Sequence, residues 1–281
     1  MNLEQLNFIA NHMTAPGTGL LAADESLGTI KKRFDNINVE NTEDNRRAWR
    51  ELLLRTNPAM TDYIGGVILF DETLRQNAKD GSKLVDLIEA AGAVPGIKVD
   101  AGAHDMAGFA GEKVTAGLDG LRARMQEYYQ LGARFAKWRA VVEIDSFRPS
   151  AACVTANCHA LARYAAICQE AQIVPIVEPE VLMGGDHTID RYAEVTAWTL
   201  KHLFMELHMH GVELEGIVLK PNMVISGKKC PVQAGVDEVA EKTLRVLKSS
   251  VPASVPGIAF LSGGQDNIEA TEHLNAMNVG T

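Results

Sequence analysis

Short apolar segments alternate with longer stretches of helical periodicity along most of this chain. Seven of the short segments are rich in Val, Ile, Leu and Ala and end in polar residues, which is the pattern of buried parallel strands. They span residues 19–24, 65–70, 96–100, 134–141, 173–180, 216–221 and 257–262. Because they recur about every 30 to 46 residues, each predicted strand has room to return through a crossover helix.

Helical patterns fill the intervals between these strands. Asn41 and Thr42 offer caps for a helix whose Trp49, Leu52 and Leu53 are predicted to share one face, and Pro58 follows its end. A second apolar stripe, made of Leu118, Leu121, Met125 and Tyr128, precedes Gly132. Residues 156–171, 188–210 and 236–249 predict three further helices.

Two parallel architectures fit repeated β-α units: an open doubly wound sheet and a closed (β/α)₈ TIM barrel. A dinucleotide-binding sheet would carry G-x-G-x-x-G after an early strand, and this motif follows neither Asp24 nor Phe70. No linker or composition shift divides the chain. The sequence therefore favours a single α/β TIM-barrel domain over residues 1–281, with seven strands present.

Composition and charge argue against two classes of binding partner. The 281 residues carry 27 basic and 36 acidic side chains, a net charge of −9, which argues against general affinity for nucleic acid or anionic membranes. No apolar run reaches membrane-spanning length, and the N-terminus lacks the pattern of a secretory signal. Four cysteines without a C-x-x-C motif predict reduced, mostly buried thiols in a cytoplasmic protein.

Charged residues are concentrated where the predicted strands end. In a barrel, the carboxyl ends of all strands meet at one mouth, where such enzymes place their chemistry. Alternation along a strand puts Lys137 and Arg139 on one face, and likewise Glu178 and Glu180. The charged residues at these ends are Asp24, Lys98, Asp100, Lys137, Arg139, Glu178, Glu180 and Lys220.

Such a cluster suits imine chemistry. A lysine that is sheltered from water and lies beside other cations loses its proton more easily, and the neutral amine attacks carbonyl carbons. Carboxylates nearby would transfer the protons that carbon–carbon cleavage requires. The remaining cations and the Gly-rich turn at 262–264 would suit phosphate. The residues thus predict a lyase acting on a phosphorylated sugar.

Six segments at these positions resemble class I fructose-1,6-bisphosphate aldolase. They are LAADES (21–26), GIKVD (96–100), FAKWR (135–139), VEPE (177–180), LKPNM (219–223) and LSGGQ (261–265). Each motif alone is a weak signal, but all six occur in the family's order and spacing. The resemblance implies reversible cleavage of fructose 1,6-bisphosphate to dihydroxyacetone phosphate and glyceraldehyde 3-phosphate, in glycolysis and gluconeogenesis.

By this resemblance, Lys220 is the Schiff-base lysine and Glu178 the main general acid/base. Lys137 would hold positive charge beside the developing alkoxide, Glu180 would orient this network, and Asp24 would bind the hydroxyl at the breaking bond. Residues implied to bind the two phosphates are Ser26, Thr29, Lys98 and Arg139 at the distal end, and Ser262, Gly263 and Gly264 near the ketone.

The resemblance also implies features that the residues do not display. The family continues into an eighth strand with a phosphate-binding Arg, a final helix and a tail ending in a catalytic Tyr, so the sequence predicts a barrel lacking its eighth strand and tail. Ala101 replaces a Lys that is common in the family. A homotetramer is expected. The alternative hypothesis is a non-catalytic phosphosugar-binding or scaffold fragment.

Simpler explanations exist for several of these residues. Asp24 could cap the following helix, with Ser26 or Glu25 as the competing caps, and residues 262–264 could be an ordinary turn. The eight histidines raise the question of a zinc-dependent mechanism. His202, His208 and His210 lie on one predicted helix without an i, i+4 pair among them, so no metal and no other cofactor are expected.

Overall fold

A computed structural model describes residues 1–279 of the chain. Six strands form a parallel sheet in the order β1-β2-β3-β6-β7-β8, and two form a short antiparallel hairpin, β4-β5. The strands are β1 Gly19–Ala23, β2 Ile64–Leu69, β3 Val94–Lys98, β4 Ala103–Asp105, β5 Lys113–Thr115, β6 Phe135–Val142, β7 Val174–Val181 and β8 Val218–Leu219.

Eleven α-helices occupy the described part of the chain, most of them between strands. They are α1 Leu3–Met13, α2 Leu27–Asp35, α3 Glu43–Leu54, α4 Ala59–Tyr63, α5 Asp71–Leu74, α6 Leu84–Ala90, α7 Leu121–Gln130, α8 Ala151–Glu170, α9 Ile189–Met209, α10 Val236–Ser250 and α11 Asn267–Asn278, and one 3₁₀ turn spans Leu214–Gly216. No helix within residues 1–279 is both long and apolar enough to cross a bilayer.

The sheet curls so that its two faces bury different apolar clusters. The outer face packs against the surrounding helices. The inner face joins Phe135, Ile176 and Val218 to Leu6 and Met13 of α1, which closes the end where the strands begin. A Cβ at Gly96 would lie 2.2 Å from the Phe135 ring, so the interior has room for this ring only because residue 96 is glycine. The opposite end, where the strands finish, stays open.

The seventh predicted strand is only partly formed. Residues 257–262 contribute a single parallel bridge between Leu219 and Ile258, extended by backbone hydrogen bonds from Ala259 N to Leu219 O at 2.9 Å and from Leu261 N to Pro221 O at 3.1 Å. The expectation of seven full strands is therefore corrected to six strands and one bridged segment. Among residues 1–279, no strand pairs with the outer edge of β1.

The predicted helices mostly match the structure. Thr42 caps α3, and Thr188 caps α9. The predicted apolar face of α3 is wrong, because Leu52 is exposed whereas Arg50 and Leu54 are buried. Arg50 turns inward since it donates hydrogen bonds to the carbonyl oxygens of Ala23 and Glu25 at the end of β1. The elements that were not predicted are the β4-β5 hairpin and helices α1, α4, α5, α6 and α11.

Candidate active site

Four charged side chains at the carboxyl ends of four different strands form a continuous chain of contacts at the open end. Lys137 Nζ lies 2.6 Å from Asp24 Oδ2 and 3.6 Å from Glu178 Oε2. On the other side of the same carboxylate, Glu178 Oε1 accepts a hydrogen bond from Lys220 Nζ at 2.5 Å. The order Asp24, Lys137, Glu178, Lys220 therefore alternates in charge across the mouth.

The strand ends explain why these groups meet. Lys137 lies within β6 and Glu178 within β7, each two positions beyond an apolar interior residue, Phe135 and Ile176 respectively, while Asp24 and Lys220 directly follow β1 and β8. Alternation along each strand sends these side chains inward. The two lysines and Glu178 are largely shielded from solvent.

The charge state of Lys137 follows from its surroundings. Burial opposes the ammonium form, but the carboxylates of Glu178 and Asp24 outweigh burial and raise the pKa of Lys137 above its ordinary value. Lys137 is therefore a fixed positive charge between two carboxylates. Within residues 1–279, Lys220 pairs with one carboxylate, whereas Lys137 pairs with two.

A second group of ion pairs lies beside the first. Lys98 Nζ lies 2.7 Å from Asp100 Oδ1, and Arg139 Nε lies 2.5 Å from Glu180 Oε2. Although burial disfavours its charge, the hydrogen bond to Glu180 raises the pKa of Arg139. The backbone N–H of Arg139 also donates to Asp100 Oδ2 at 3.4 Å, which links the two pairs. Asp100, which received no role in the sequence-based prediction, thus contacts the amine of Lys98 and the backbone of Arg139.

In the segment after β1, one residue caps helix α2 and others form ion pairs. Ser26 caps α2, its Oγ accepting from Thr29 N at 3.4 Å and lying 3.2 Å from Thr29 Oγ1. Asp24 instead contacts Lys137, so the capping alternative for Asp24 is wrong. Glu25 binds two arginines that the sequence analysis had not singled out, Arg33 at 2.5 Å and the buried Arg50 at 2.8 Å.

The glycine turn after residue 261 has the backbone that a phosphate cradle needs. Gly263 and Gly264 have φ values of 61° and 88°, the left-handed region that favours glycine. A Cβ added to Gly264 would lie 3.2 Å from Lys228 Nζ. Lys228 therefore places a cation over the turn. The sequence offered no signal for this contact, because the loop that carries Lys228 is not a predicted strand end.

An open cleft reaches Lys220 from the side. Its volume is ≈ 840 Å³, and its wall combines Gly19 and Leu20 of β1 with Ile258, Phe260 and Lys220. Ligand sites commonly enclose about 300–1,000 Å³, so the cleft is large enough for a small molecule. The cleft follows the edge of β1 with which no strand of the described residues pairs.

A curled parallel sheet with an amine, a carboxylate and a second cation at its carboxyl end is typical of a barrel enzyme. The chain belongs to the class-I fructose-bisphosphate aldolase family, since the model of that family, "Fructose-bisphosphate aldolase class-I", matches residues 5–281. The family fold is TIM-barrel-like, and its members act through a Schiff-base lysine without metal on phosphorylated sugars.

Individual relatives agree with this assignment. A probable fructose-bisphosphate aldolase class 1 of Xanthomonas campestris is 59% identical over 99% of this chain and 83% of its own length. The fructose-bisphosphate aldolase of Dictyostelium discoideum is 51% identical over 98% of this chain and 78% of its own.

A solved structure shows the same backbone. The fructose-bisphosphate aldolase of Plasmodium falciparum, in complex with TRAP and a small-molecule inhibitor, superimposes with a TM-score of 0.96 at 46% identity, covering 98% of this chain and 80% of that one. Aldol cleavage of fructose bisphosphate is therefore the function of this chain, and the non-catalytic alternative is not favoured.

Proposed function

We propose that Lys220 is the nucleophile of this reaction. Its Nζ would bond to the ketone carbon of fructose 1,6-bisphosphate, and loss of water would leave an iminium ion. The iminium accepts the electron pair of the C3–C4 bond, so that glyceraldehyde 3-phosphate departs and an enamine remains. Protonation at C3 and hydrolysis then release dihydroxyacetone phosphate and the free amine. The 2.5 Å contact between Lys220 and Glu178 carries this proposal.

Glu178 is the proposed proton carrier. One of its oxygens contacts the Lys220 amine, and the other faces Lys137, so a single carboxylate touches both cations. It can take the proton that Lys220 must lose before attack and return it when water leaves. Because Lys137 keeps its charge, it is suited to stabilise the developing alkoxide rather than to attack.

Asp24 and Glu180 complete the proposed catalytic set in different ways. Asp24 points into the same mouth and is paired with Lys137, which fits a role at the C4 hydroxyl whose proton leaves as the bond breaks. Glu180 contacts Arg139 and neither lysine of the central chain, so we assign it the orientation of Arg139.

Two groups flank the central chain and would bind the phosphates. On one side lie Lys98 and Arg139 with the hydroxyls of Ser26 and Thr29, and on the other the turn formed by Ser262, Gly263 and Gly264. We add Lys228 to the second group because its amine lies over Gly264. Cations and backbone N–H groups on both sides suit a substrate phosphorylated at both ends.

Trapping of the imine tests the nucleophile. Borohydride reduction with dihydroxyacetone phosphate should add one ligand mass to the peptide that contains Lys220, and the K220R variant should remain unlabelled. K201R, which alters an exposed lysine on α9, serves as the matched control and should be labelled as fully as the unaltered chain. Labelling of another lysine in the unaltered chain would contradict the assignment.

The domain organisation and the position of an eighth strand are also proposals. We infer one catalytic domain over residues 1–281, because a single apolar cluster joins residues from Ala23 to Met277. An eighth strand would fit beside the cleft, against the edge of β1 that pairs with no strand within residues 1–279. Hydrogen exchange tests this: fast exchange of the β1 amides that do not bond to β2 indicates an open edge, whereas protection indicates a paired one.

Assembly and location complete the proposal. A homo-oligomer, a tetramer by family resemblance, is expected from light scattering of the purified protein. The cytoplasm is proposed because all four cysteines are free and buried and because one relative is named "Fructose-bisphosphate aldolase 5, cytosolic", from Arabidopsis thaliana. Neither nucleic acid nor membrane is a proposed partner.

A further inference from the structure

Four side chains with metal-binding atoms meet on the outer helical layer, away from the charged mouth. His202, Glu206 and His210 are spaced four residues apart along α9 and its cap, so they share one face of the helix. His159 reaches them from the adjacent α8. We call these four residues the histidine–glutamate cluster.

The carboxylate of Glu206 lies at the centre of this cluster. Its Oε2 is 3.2 Å from His159 Nδ1 and 3.6 Å from His210 Nδ1. Its Oε1 is 3.8 Å from His202 Nε2. The two closer imidazoles cross edge to face, with ring centroids 4.8 Å apart.

Charge balance in the cluster is incomplete. Glu206 is buried, and within residues 1–279 its carboxylate has no Lys or Arg partner. With the imidazoles in their neutral form, this shielded carboxylate would accept a hydrogen bond from His159 Nδ1 at 3.2 Å but would have no counter-charge. In addition, His202 Nε2 is buried without a hydrogen-bond partner in the described part of the chain. A bound cation would resolve the charge imbalance.

The distances suit a small tetrahedral metal ion. Bonds of about 2.0–2.1 Å to nitrogen and oxygen give ligand-to-ligand separations of about 3.3 Å in a tetrahedron. The contact between Glu206 Oε2 and His159 Nδ1 is already close to this value, and the ligand atoms of His159, Glu206 and His210 lie within 4.8 Å of one another. His210 Nδ1 donates to the backbone oxygen of Glu206 at 2.9 Å, so Nε2 is the ring nitrogen that His210 offers to a metal ion. His159 is exposed, so rotation of its side chain can close the remaining gap and its face admits the ion.

We propose that His159, Glu206 and His210 bind a divalent transition-metal ion such as Zn²⁺, with His202 beside the site. The carbonyl-rich end of α9 adds negative potential, because the helix terminates at these residues. The helices of a barrel run antiparallel to its strands, so the end of α9 lies toward the end of the barrel opposite the mouth. The site therefore joins two outer helices and takes no part in the lyase reaction.

Zinc titration of the chelator-treated full chain tests this proposal. Isothermal titration calorimetry should show one Zn²⁺ per chain, with affinity reduced about tenfold or more in H159Q and in E206Q. H208Q is the matched control, because His208 is an exposed histidine on the same helix outside the cluster. Its affinity should equal that of the unaltered chain.

A second measurement covers the possibility that E206Q folds poorly. Zn²⁺ should raise the melting temperature of the unaltered chain and of H208Q, and should raise that of H159Q less because a ligand is lost. H159Q should fold normally, since it changes an exposed residue. Equal zinc affinity in the unaltered chain, H159Q and E206Q would overturn the proposal. Imine trapping on Lys220 should proceed equally in all four proteins, which keeps this result separate from the proposed catalytic assignment.

Discussion

Lys137 and Asp24 form a 2.6 Å ion pair although their strands are not neighbours. Lys137 belongs to β6 and Asp24 follows β1, and β2 and β3 lie between these strands in the sheet. In a flat sheet, strands three places apart would be separated by about 14 Å, because adjacent strands are about 4.7–4.9 Å apart. The pair therefore exists because the sheet curls and both side chains point to its inner face.

Replacement of Lys137 should damage both stability and catalysis. K137M removes the cation between Asp24 and Glu178, leaving two shielded carboxylates without their shared partner, and breaking such a buried pair costs about 3–5 kcal/mol. We also expect a loss of about 100-fold or more in kcat, since the alkoxide loses its counter-charge. Urea unfolding and steady-state kinetics measure the two effects. K201M should change neither, and normal turnover by K137M would refute the proposed role.

Replacement of Glu178 should act mainly on proton transfer. E178Q keeps the shape of the side chain but cannot accept a proton, so kcat should fall by about 10²–10⁴. KM should change less, because Glu178 contacts neither proposed phosphate group. E194Q, at an exposed carboxylate on α9, is the control and should retain full activity. Comparable kcat values for E178Q and E194Q would exclude Glu178 as the proton carrier.

Lys228 offers a test of the phosphate turn. K228Q should raise KM for fructose 1,6-bisphosphate by roughly tenfold, because it removes one charge-assisted contact with a phosphate beside Gly264. K229Q is matched in charge, exposure and chain position, and should leave KM unchanged. If the two variants show the same KM, the proximity of Lys228 to Gly264 has no role in substrate binding.

His187 should make stability depend on pH. Burial lowers the pKa of His187, and neither ring nitrogen has a hydrogen-bond partner within residues 1–279. The unfolded chain therefore takes up this proton first, so the free energy of unfolding should fall as the pH drops below about 6.5, by at most about 1.4 kcal/mol per pH unit. This contribution vanishes at higher pH, where both states are neutral.

Variants isolate that contribution. H187Q cannot titrate, so its unfolding free energy should vary less between about pH 7.5 and pH 5.5 than that of the unaltered chain. H104Q changes an exposed histidine and should preserve the original dependence. Parallel curves for H187Q and the unaltered chain would show that His187 is not the titrating group.

Local patterns predicted most of the strands and the long helices. Apolar runs that end in charge placed β1, β2, β3, β6 and β7 within a few residues, because strands buried on both faces are apolar along their whole length. The same pattern predicted a full strand at residues 257–262, where the structure has a single bridge. Pairing of this segment depends on a neighbouring strand on each side. It also missed α1, because nothing local shows that Leu6 and Met13 cover the end of a barrel.

By itself, the sequence determined the parallel α/β class, the charged strand ends and, through six motifs, the family. Tertiary structure decided which charges meet: it placed Glu178 between two lysines, separated Asp24 from the capping role of Ser26 and brought Lys228 to the glycine turn. It also brought His159 to Glu206 across two helices. The physical reason is that alternation and helical spacing act within one element, whereas these contacts join elements whose distance depends on how the sheet curls and the helices pack.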